Sequence, residues 1–516
     1  MKKVFFLILM VLLFVQCNDD FLEKSSLTSI AENNFWKSES DAYLALNGVY
    51  STLQTKALYG GNLNGGQGIP CYDGLSDNAY NAWEWEGPGQ HMEGTMDAAH
   101  WWYEGIWNSS YQGISRVNAI IENVNIISDD LIDLESKNQI LGQAYFLRAL
   151  FNFNLALYFE DAPLILTTQS VAESYVPKNT YAEINNQIVT DLKFAVTHLP
   201  NSYDNELFGY ATKGAAYGLF ARVQLYNHEY SGEFGVINLT EKAMGLGYFL
   251  HNDYAELFSL EGENSSEIVF AIRFLRGDDT GNGEMFSATY LASPKVDQQP
   301  MPNLVNDYYC LDGLPISESP LYDATNKKLN RDPRAIANFF FKNDIYNKDI
   351  PKIFSENLET KYGQRKYIRL GDDTYGNSPW TEGSQDFYLI RYADILLMRA
   401  EAFAETGNLS EARELVNTIR ARVNMPTVDE VEGVGLNQQQ MIDLVRHERR
   451  VELALEGLRF MDLKRWGEME EAINRASSDL IGPYSPQFLG GKTLSFPIPQ
   501  SEIDVNPNLI QNSAWK

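Results

Sequence analysis

The sequence predicts a mostly α-helical protein in which helical hairpins form a scaffold, beside an irregular, loop-rich half with a few short strands. Three observations predict this fold class. Apolar residues recur at spacings of three and four in several long segments, as on the buried face of a helix. The glycine-rich stretch from Gly60 to Gly105 has no such periodicity. Residues 255–385 also lose it and contain many Pro, Gly and Asn turns.

The first group of helices surrounds and follows the glycine-rich stretch. Helical periodicity begins near Asp41, and a helix is expected over 107–127. The next helix places five apolar residues on one face: Ala144, Leu147, Phe151, Leu155 and Tyr158. A helix near 181–199 comes before one that Thr212 could cap, since a threonine hydroxyl can accept from the free amides of a first turn.

The second group follows the irregular half. Ile268 to Ile272 is rich in β-branched residues and predicts a strand. Helices are expected at 388–406, from 408 or 410 onwards, and at 440–466. Gly407 is expected to end the first of them. Pairs of this length resemble tetratricopeptide units, although their 34-residue period is not clean here. Plain helical hairpins would pack in the same way.

The N-terminus predicts export. Lys2 and Lys3 come before an apolar run of 12 residues, Val4 to Val15. A membrane-spanning helix needs ~20 apolar residues, so this run is typical of a signal peptide. The cysteine that follows, Cys17, indicates a bacterial lipoprotein that is cut before Cys17 and lipid-modified on its thiol. Gln16 is larger than usual before the cut, and the alternative is an ordinary secretory signal cut nearby.

This interpretation divides the chain. Residues 1–16 are expected to be the lipoprotein signal peptide, and residues 17–36 a polar tether. Residues 37–516 follow, with an N-terminal part over 37–254 and a C-terminal part over 255–516 that pack as one unit. Length alone is compatible with two to four domains, but it is only a soft guide.

Charge restricts the possible partners. The net charge of −28 and pI of about 4.6 argue against nucleic-acid binding, which requires clustered Lys and Arg. They also argue against electrostatic binding to anionic lipid, so membrane attachment is expected to come from the lipid anchor. After lipidation, two cysteines remain. Cys71 and Cys310 could form one disulfide, and two buried free thiols are the alternative that we favour.

Motifs for catalysis and metal binding are weak. The chain has no Gly-x-Ser-x-Gly or phosphate-binding loop, and His447-Glu448 is followed by Val451 instead of a second histidine. One further group contains metal-ligand residue types: His91, Glu93, Asp97, His100 and Glu104. Surface polar residues explain this group better. We therefore expect no enzyme activity, catalytic residue, metal or cofactor.

The glycine-rich stretch is the best candidate for ligand binding. Five of the nine tryptophans lie within 83–107. Sugar rings have apolar C–H faces and a rim of hydroxyls, so their recognition combines aromatic planes with carboxylates and amides. The residues expected to bind ligand are Asp73, Asp77, Asn78, Tyr80, Trp83 and Trp85. The alternative is that the aromatic residues pack the loop onto the scaffold.

Neighbouring aromatic residues are interpreted separately. Trp107 and Tyr111 begin a helix and are assigned to packing, whereas Trp101 and Trp102 stay open. A secondary candidate surface covers 276–309 together with Trp380, where four polar residues could add hydrogen bonds. These are Asp278, Asn282, Gln298 and Gln299.

Several motifs, in order along the chain, carry a family resemblance. The strongest are the segment Arg391-Tyr392-Ala393-Asp394 and the charged run from Arg446 to Trp466. Others are Cys17 to Leu22, Tyr111 to Asn118, Asn330 to Arg334, and Phe496 to Pro499. Together they resemble the SusD/RagB family of outer-membrane nutrient-uptake lipoproteins. The resemblance extends from Cys17 to the C-terminus.

The resemblance implies a single-domain protein with a tetratricopeptide-like scaffold. It also implies a partner, a SusC-like TonB-dependent outer-membrane barrel that the lipoprotein covers as a lid. Ligands of the family are oligosaccharides, and in one branch peptides. Asn18-Asp19-Asp20 resembles a surface-export signal. Arg446, Glu448, Arg449, Arg450, Glu452 and Glu456 could pair three or four residues apart, and we expect them to form a partly buried scaffold network.

The expected function is that of a surface-exposed, lipid-anchored outer-membrane protein. It would bind an oligosaccharide and deliver it to the barrel. Three alternatives stay open: a peptide-binding lid, a lid that only gates its partner, and a surface glycoside hydrolase using Glu84 or Glu86. A glycosidase places two carboxyls ~5–9.5 Å apart, which sequence spacing does not show.

Overall fold

The structure is a computed structural model that describes residues 35–61, 68–82, 87–204, 207–276, 283–289, 298–347, 352–356, 358–368 and 382–516. The expected signal peptide, Cys17 and most of the expected tether lie outside these residues. None of the described helices combines the length and the apolar content that crossing a membrane requires.

Helices make up most of the described secondary structure, as the sequence predicts. The N-terminal half contains α1 (Glu39–Leu53), α2 (Pro88–Glu93), α3 (Trp101–Ile126), α4 (Leu134–Phe159), α5 (Tyr181–His198), α6 (Lys213–Tyr226) and α7 (Val236–Met244). The C-terminal half contains α8 (Tyr254–Leu257), α9 (Phe286–Thr289), α10 (Pro302–Asp307), α11 (Pro333–Asn338), α12 (Tyr392–Glu405), α13 (Leu409–Arg422), α14 (Val428–Val431), α15 (Gln438–Leu453), α16 (Arg459–Trp466), α17 (Met469–Ser478), α18 (Gly491–Leu494) and α19 (Gln500–Val505).

The described strands are short and form two-stranded antiparallel ladders. They are β1 (Ala79–Asn81), β2 (Ile268–Ile272), β3 (Gln298–Pro300), β4 (Phe339–Phe340), β5 (Ile345–Asn347), β6 (Lys352–Ile353), β7 (Gly363–Gln364) and β8 (Phe387–Arg391). The pairs are β1–β3, β2–β8, β4–β7 and β5–β6. A π-helical turn covers Lys56–Gly60, and 3₁₀ turns cover Ile69–Leu75, Leu260–Asn264 and Ser513–Trp515.

Consecutive helices pack on one another and form the scaffold. Helices α3 to α7 each contact the next along the chain, and α7 also contacts α12, which packs on α13 and α15. Gly113 on α3 allows a close approach to α4, because a Cβ there would lie 2.3 Å from the ring of Phe151. One apolar core therefore continues from the N-terminal helices into the C-terminal ones.

Local sequence signals explain where several helices begin and end. The Thr212 hydroxyl accepts from the amide of Ala215 and caps α6, as predicted. Thr180 and Glu183 form a reciprocal capping box at the start of α5. Gly407 follows α12 in a left-handed conformation, with φ +81°. The strand predicted at Ile268–Ile272 is confirmed as β2.

Two predicted helices are wrong in part. The helix expected over 388–406 begins as strand β8, whose five residues are all buried and pair with β2. A buried strand of this kind has no two-residue alternation that separates it from a helix. The helix expected over 440–466 is broken between Leu453 and Arg459, because Leu455 (φ +65°) and Gly457 (φ +75°) adopt left-handed conformations.

The described residues of the stretch from 60 to 105 contain more secondary structure than the composition predicts, namely the turn at Ile69–Leu75, strand β1, α2 and the start of α3. These elements are too short for periodicity to detect. Cys71 and Cys310 are both buried and are not joined in a disulfide, which agrees with the interpretation that we favour.

Candidate functional site

The candidate ligand loop, residues 82–87, follows strand β1 along the chain. Strand β1 pairs with β3, and Tyr80 lies opposite Gln299. Strand β1 ends at Asn81, and the described chain stops at residue 82 and resumes at Gly87. Gly87 has φ +93°, and a Cβ there would lie 2.3 Å from the Trp102 ring. Only glycine fits this turn, which holds the second side of the loop against α3.

Asp73 links the first side of the loop to the C-terminal helices. Its buried carboxylate accepts from the backbone amides of Gly457 at 2.7 Å and Leu455 at 3.2 Å. It also accepts from the Asn78 side-chain amide at 2.7 Å. Burial raises the pKa of Asp73, and the three donors offset part of that shift. These bonds satisfy the two amides that the break between α15 and α16 leaves without a helical acceptor.

Asp77 is the centre of a buried ion cluster. Its carboxylate lies 3.0 Å from Nη2 of Arg450, 2.9 Å from Nε of Arg459 and 2.9 Å from Nε of Arg475. Burial alone would raise the pKa of Asp77, but the three guanidinium groups hold it well below its usual range. Asp77 is therefore a fixed negative charge that ties the loop to α15, α16 and α17.

Asn78 and Tyr80 complete this attachment. The Asn78 side-chain oxygen accepts from Arg450 Nε at 3.0 Å. The Tyr80 ring packs 4.8 Å from that of Tyr484 and is 6% exposed. Asp73, Asp77, Asn78 and Tyr80 are all almost fully buried, and their side chains contact other residues of the protein.

The remaining predicted contacts, Trp83 and Trp85, lie outside the described residues, as do Glu84 and Glu86. Their contact with a ligand stays a prediction. Of the pair left open, Trp102 is 4% exposed and Trp101 is 45% exposed.

The assignment of two further aromatic residues to packing is confirmed. Trp107 is buried, and the Tyr111 hydroxyl donates to the carbonyl of Pro163 at 2.7 Å.

The secondary candidate surface is only partly described. Gln298 and Gln299 are buried in β3, where their side-chain amides donate to Gln364 at 2.9 Å and to Glu359 at 2.7 Å. They support neighbouring segments of the fold. Asp278, Asn282 and Trp380 lie outside the described residues.

The charged run from Arg446 to Trp466 forms a scaffold network, as expected. Its partners, however, mostly lie on other elements of the fold. Arg449 reaches Asp394 at 2.6 Å, and Glu448 accepts from Arg334 at 2.6 Å. Glu456 accepts from Arg391 at 2.8 Å and from Lys366 at 2.7 Å. The residues in these pairs are almost fully buried. Removing one partner from such pairs is costly, so the network holds the C-terminal helices in place.

The possible metal-ligand group is dispersed. His91 is buried, with Nδ1 2.9 Å from the Tyr103 hydroxyl and Nε2 3.1 Å from the Thr493 carbonyl. Burial lowers its pKa to about 4. Across the described ranges, no group of three or more His, Cys, Asp or Glu residues could hold a metal ion.

Sequence reasoning missed the arginines that hold the loop. Arg450, Arg459 and Arg475 are about 370 to 400 positions from Asp77 along the chain. The available signal was the density of charge among apolar residues in the run from Arg446 to Trp466. Charges among core positions predict buried pairs, but sequence spacing does not identify a partner so far away.

Most of the chain is similar to known protein families. A family model described as the SusD family matches residues 266–515. Another, described as starch-binding and associating with the outer membrane, matches residues 20–225. A SusD-like protein of Formosa agariphila is 26% identical over 546 residues and covers 99% of both chains. The starch-binding protein SusD of Bacteroides thetaiotaomicron is 25% identical over 355 residues, covering 60% of this chain and 61% of that protein.

Solved structures have the same fold. A SusD-like carbohydrate-binding protein of Bacteroides fragilis superposes with a TM-score of 0.78 at 25% identity, covering 92% of this chain and 100% of the other. A second SusD-like protein of that species has a TM-score of 0.76 at 25% identity, with coverage of 95% and 100%.

Proposed function

The chain belongs to the SusD family, and from this premise we propose that it binds a glycan at the outer-membrane surface. The bound oligosaccharide or polysaccharide is passed to a SusC-like TonB-dependent barrel for uptake. A lipid on Cys17 holds the protein at the membrane. Relatives described as starch-binding and carbohydrate-binding support the ligand class. The family description of association with the outer membrane supports the location.

One observation carries the proposed site, namely the double attachment of the loop. Asp73 and Asp77 fasten its first side to the C-terminal helices, and Gly87 fixes its second side against Trp102. The residues between these attachments include Trp83 and Trp85. Aromatic residues on a fixed support bind sugar rings with a small entropic cost.

The roles of the predicted residues then divide in two. Trp83 and Trp85 contact the ligand and provide apolar planes for sugar faces. The four buried residues that precede the loop in the sequence position it and do not touch the ligand. Binding is expected to be modest, because hydroxyl groups give up hydration when they enter the site.

Isothermal titration against oligosaccharides and soluble polysaccharides tests this site. Replacing both tryptophans, Trp83→Ala with Trp85→Ala, removes two aromatic planes worth about 1–3 kcal/mol together, so affinity falls roughly 5- to 150-fold. Tyr175→Ala is the matched control, because Tyr175 is an aromatic residue with 40% exposure outside the loop. Equal affinities for the double variant and the wild type would refute the site.

The wild-type protein and the double tryptophan variant also distinguish the competing functions. Released reducing ends after incubation with a bound glycan would establish a hydrolase and contradict a purely binding role. Peptides that co-purify with the protein and compete with the glycan would favour a peptide-binding lid. Uptake of a fluorescent oligosaccharide by cells that carry the double tryptophan variant tests delivery. Undiminished uptake would indicate a lid that only gates the barrel.

Lipid attachment has its own test. Metabolic labelling with palmitate is expected for the wild type and absent in Cys17→Ala. Equal labelling of both proteins would overturn the anchor and leave the glycan site untouched.

A further inference from the structure

Two adjoining hollows share the segment Phe208-Gly209-Tyr210, which we call the ridge. One has a volume of about 410 Å³ and the other about 340 Å³. Both are lined by all three ridge residues and by Ala271 and Arg273. Each falls within the range of about 300–1,000 Å³ that is typical of ligand cavities. Neither hollow is lined by residues 68–103, where the proposed glycan loop lies.

Helix α1 forms the wall of the larger hollow. Tyr43, Asn47 and Tyr50 share one helical face, since their spacing is four and three residues. Gln54, directly after the helix, continues this line and lies on the same hollow. The wall therefore alternates aromatic rings with amide side chains.

Tyr210 is fixed between the ridge and this wall. Its hydroxyl donates to the Asn47 side-chain oxygen. Its ring centre lies 5.0 Å from that of Tyr50 and 5.9 Å from that of Tyr43. The Tyr50 hydroxyl accepts in turn from the backbone amide of Ala211 at 2.9 Å. The aromatic surface is thus ordered before any ligand arrives.

Phe208 is exposed and yet held in place. Its side chain is 57% exposed, although burying a phenylalanine would be favourable. The Arg273 guanidinium lies 4.7 Å from its ring centre, and Arg273 Nε lies 3.3 Å from the Asp386 carboxylate. Gly209 has φ +103°, and a Cβ there would lie 2.9 Å from Arg273 Cδ. The backbone thus makes room for the arginine that fixes the ring.

The smaller hollow provides hydrogen-bonding groups. Its lining residues include Asn201, Tyr203, Tyr248 and Glu263, whose side chains carry an amide, two hydroxyls and a carboxyl. The Tyr248 hydroxyl lies 3.1 Å from that of Thr212, which fixes its position. Aromatic planes and polar groups are therefore combined across one ridge.

This chemistry selects a class of ligand. Among the described lining residues, Arg273 carries the positive charge, and Asp386 neutralises it, so an anionic ligand gains little. A purely apolar ligand would leave the amides and hydroxyls without partners. An uncharged sugar ring uses both, since its C–H face stacks on an aromatic plane and its hydroxyls bond amide groups.

We propose that the ridge and its two hollows form a second carbohydrate-binding site, which takes the uncharged sugar rings of an oligosaccharide with Phe208 and Tyr210 as platforms. The ligand class rests on the proposed function, but the place does not. Two sites on one chain would raise the apparent affinity for long polysaccharides that can reach both.

The test measures the second site with the first removed. The double tryptophan variant is the background, and Phe208→Ala is added to it, with Tyr175→Ala added as the control. The probes are glucose hexasaccharides with α-1,4 and β-1,3 linkages and the corresponding soluble polysaccharides, in titration and in affinity gel electrophoresis. Residual binding is expected in the background and control proteins and falls on the order of five-fold with Phe208→Ala.

A second variant tests the site independently of Phe208→Ala, in case that substitution disturbs folding. Asn47→Ala removes the acceptor that holds Tyr210 and is expected to weaken residual binding in the same way. Circular dichroism verifies that each variant is folded.

The outcomes separate the two proposals. Loss of all binding in the double tryptophan variant, or residual binding that neither Phe208→Ala nor Asn47→Ala weakens, overturns the second site. Full binding by the double tryptophan variant together with loss in Phe208→Ala overturns the loop site and supports this one. A wild-type protein that binds none of the probes overturns both.

Discussion

Asp77→Asn tests whether this buried carboxylate is a structural anchor. The substitution keeps the size of the side chain and removes its charge. Arg459 is 7% exposed, and its guanidinium makes two contacts with the Asp77 carboxylate, at 2.9 and 3.2 Å. Without that charge, Arg450 and Arg459 are left as buried cations with one partner fewer. Breaking a buried pair in this way costs about 3–5 kcal/mol.

Part of that cost is offset. Arg450 keeps a contact with Asp307 at 2.9 Å, and Arg475 is 40% exposed along its side chain and can be hydrated. The lower end of the range, about 3 kcal/mol, is therefore the expected loss in the free energy of unfolding. It corresponds to a factor of more than 100 in the equilibrium constant for unfolding.

Urea denaturation, followed by circular dichroism, measures this loss. The control is Asp443→Asn, because Asp443 is an exposed carboxylate on α15 and its replacement is expected to change stability by less than about 0.5 kcal/mol. Equal unfolding midpoints for Asp77→Asn and the control would refute the anchoring role. A double-mutant cycle with Arg459→Gln then tests the pair itself, since contacting residues are non-additive.

Two further predictions concern the same region. Gly457→Ala places a Cβ 2.4 Å from the carbonyl oxygen of Ile69, so it should destabilise the protein by about 2 kcal/mol or more. Gly467→Ala is the control, because Gly467 has a similar φ and open space around it, and should cost about 1 kcal/mol. Equal urea midpoints for the two variants would contradict the close approach of Gly457 to Ile69. Burial lowers the pKa of His91 to about 4 in the folded protein, so between pH 6.5 and 4 the unfolded chain binds more protons than the folded one. The free energy of unfolding therefore falls by about 2–3 kcal/mol as pH drops through that window. His91→Gln should reduce this pH dependence, and an unchanged slope would show that His91 is not the group responsible.

The helical scaffold could be predicted because its signals are local. The face formed by Leu147, Phe151 and Leu155 lies within one segment, and periodicity alone detects it. Thr212 caps α6 through a bond to a residue three positions away. Strand β8 could not be predicted, because a strand that is buried on both faces has the apolar density of a buried helix.

The candidate site was harder to predict for a different reason. Asp73 and Asp77 stand near aromatic residues in a glycine-rich segment, as sugar-binding carboxylates do. Their environments depend on Gly457 and Arg459, more than 380 positions along the chain. Residue type and spacing do not distinguish a carboxylate that is buried by distant partners from one that faces solvent. The break between α15 and α16 has the same origin, because its free amides find their acceptor in Asp73.

Hydrogen–deuterium exchange with and without bound glycan tests the central claim most directly, since it requires no substitution. The protein is saturated with the probe that it binds most tightly in titration, and backbone exchange is compared along the chain. The account predicts that the largest protection falls on the loop formed by residues 82–87. Protection confined to segments outside that loop would contradict it.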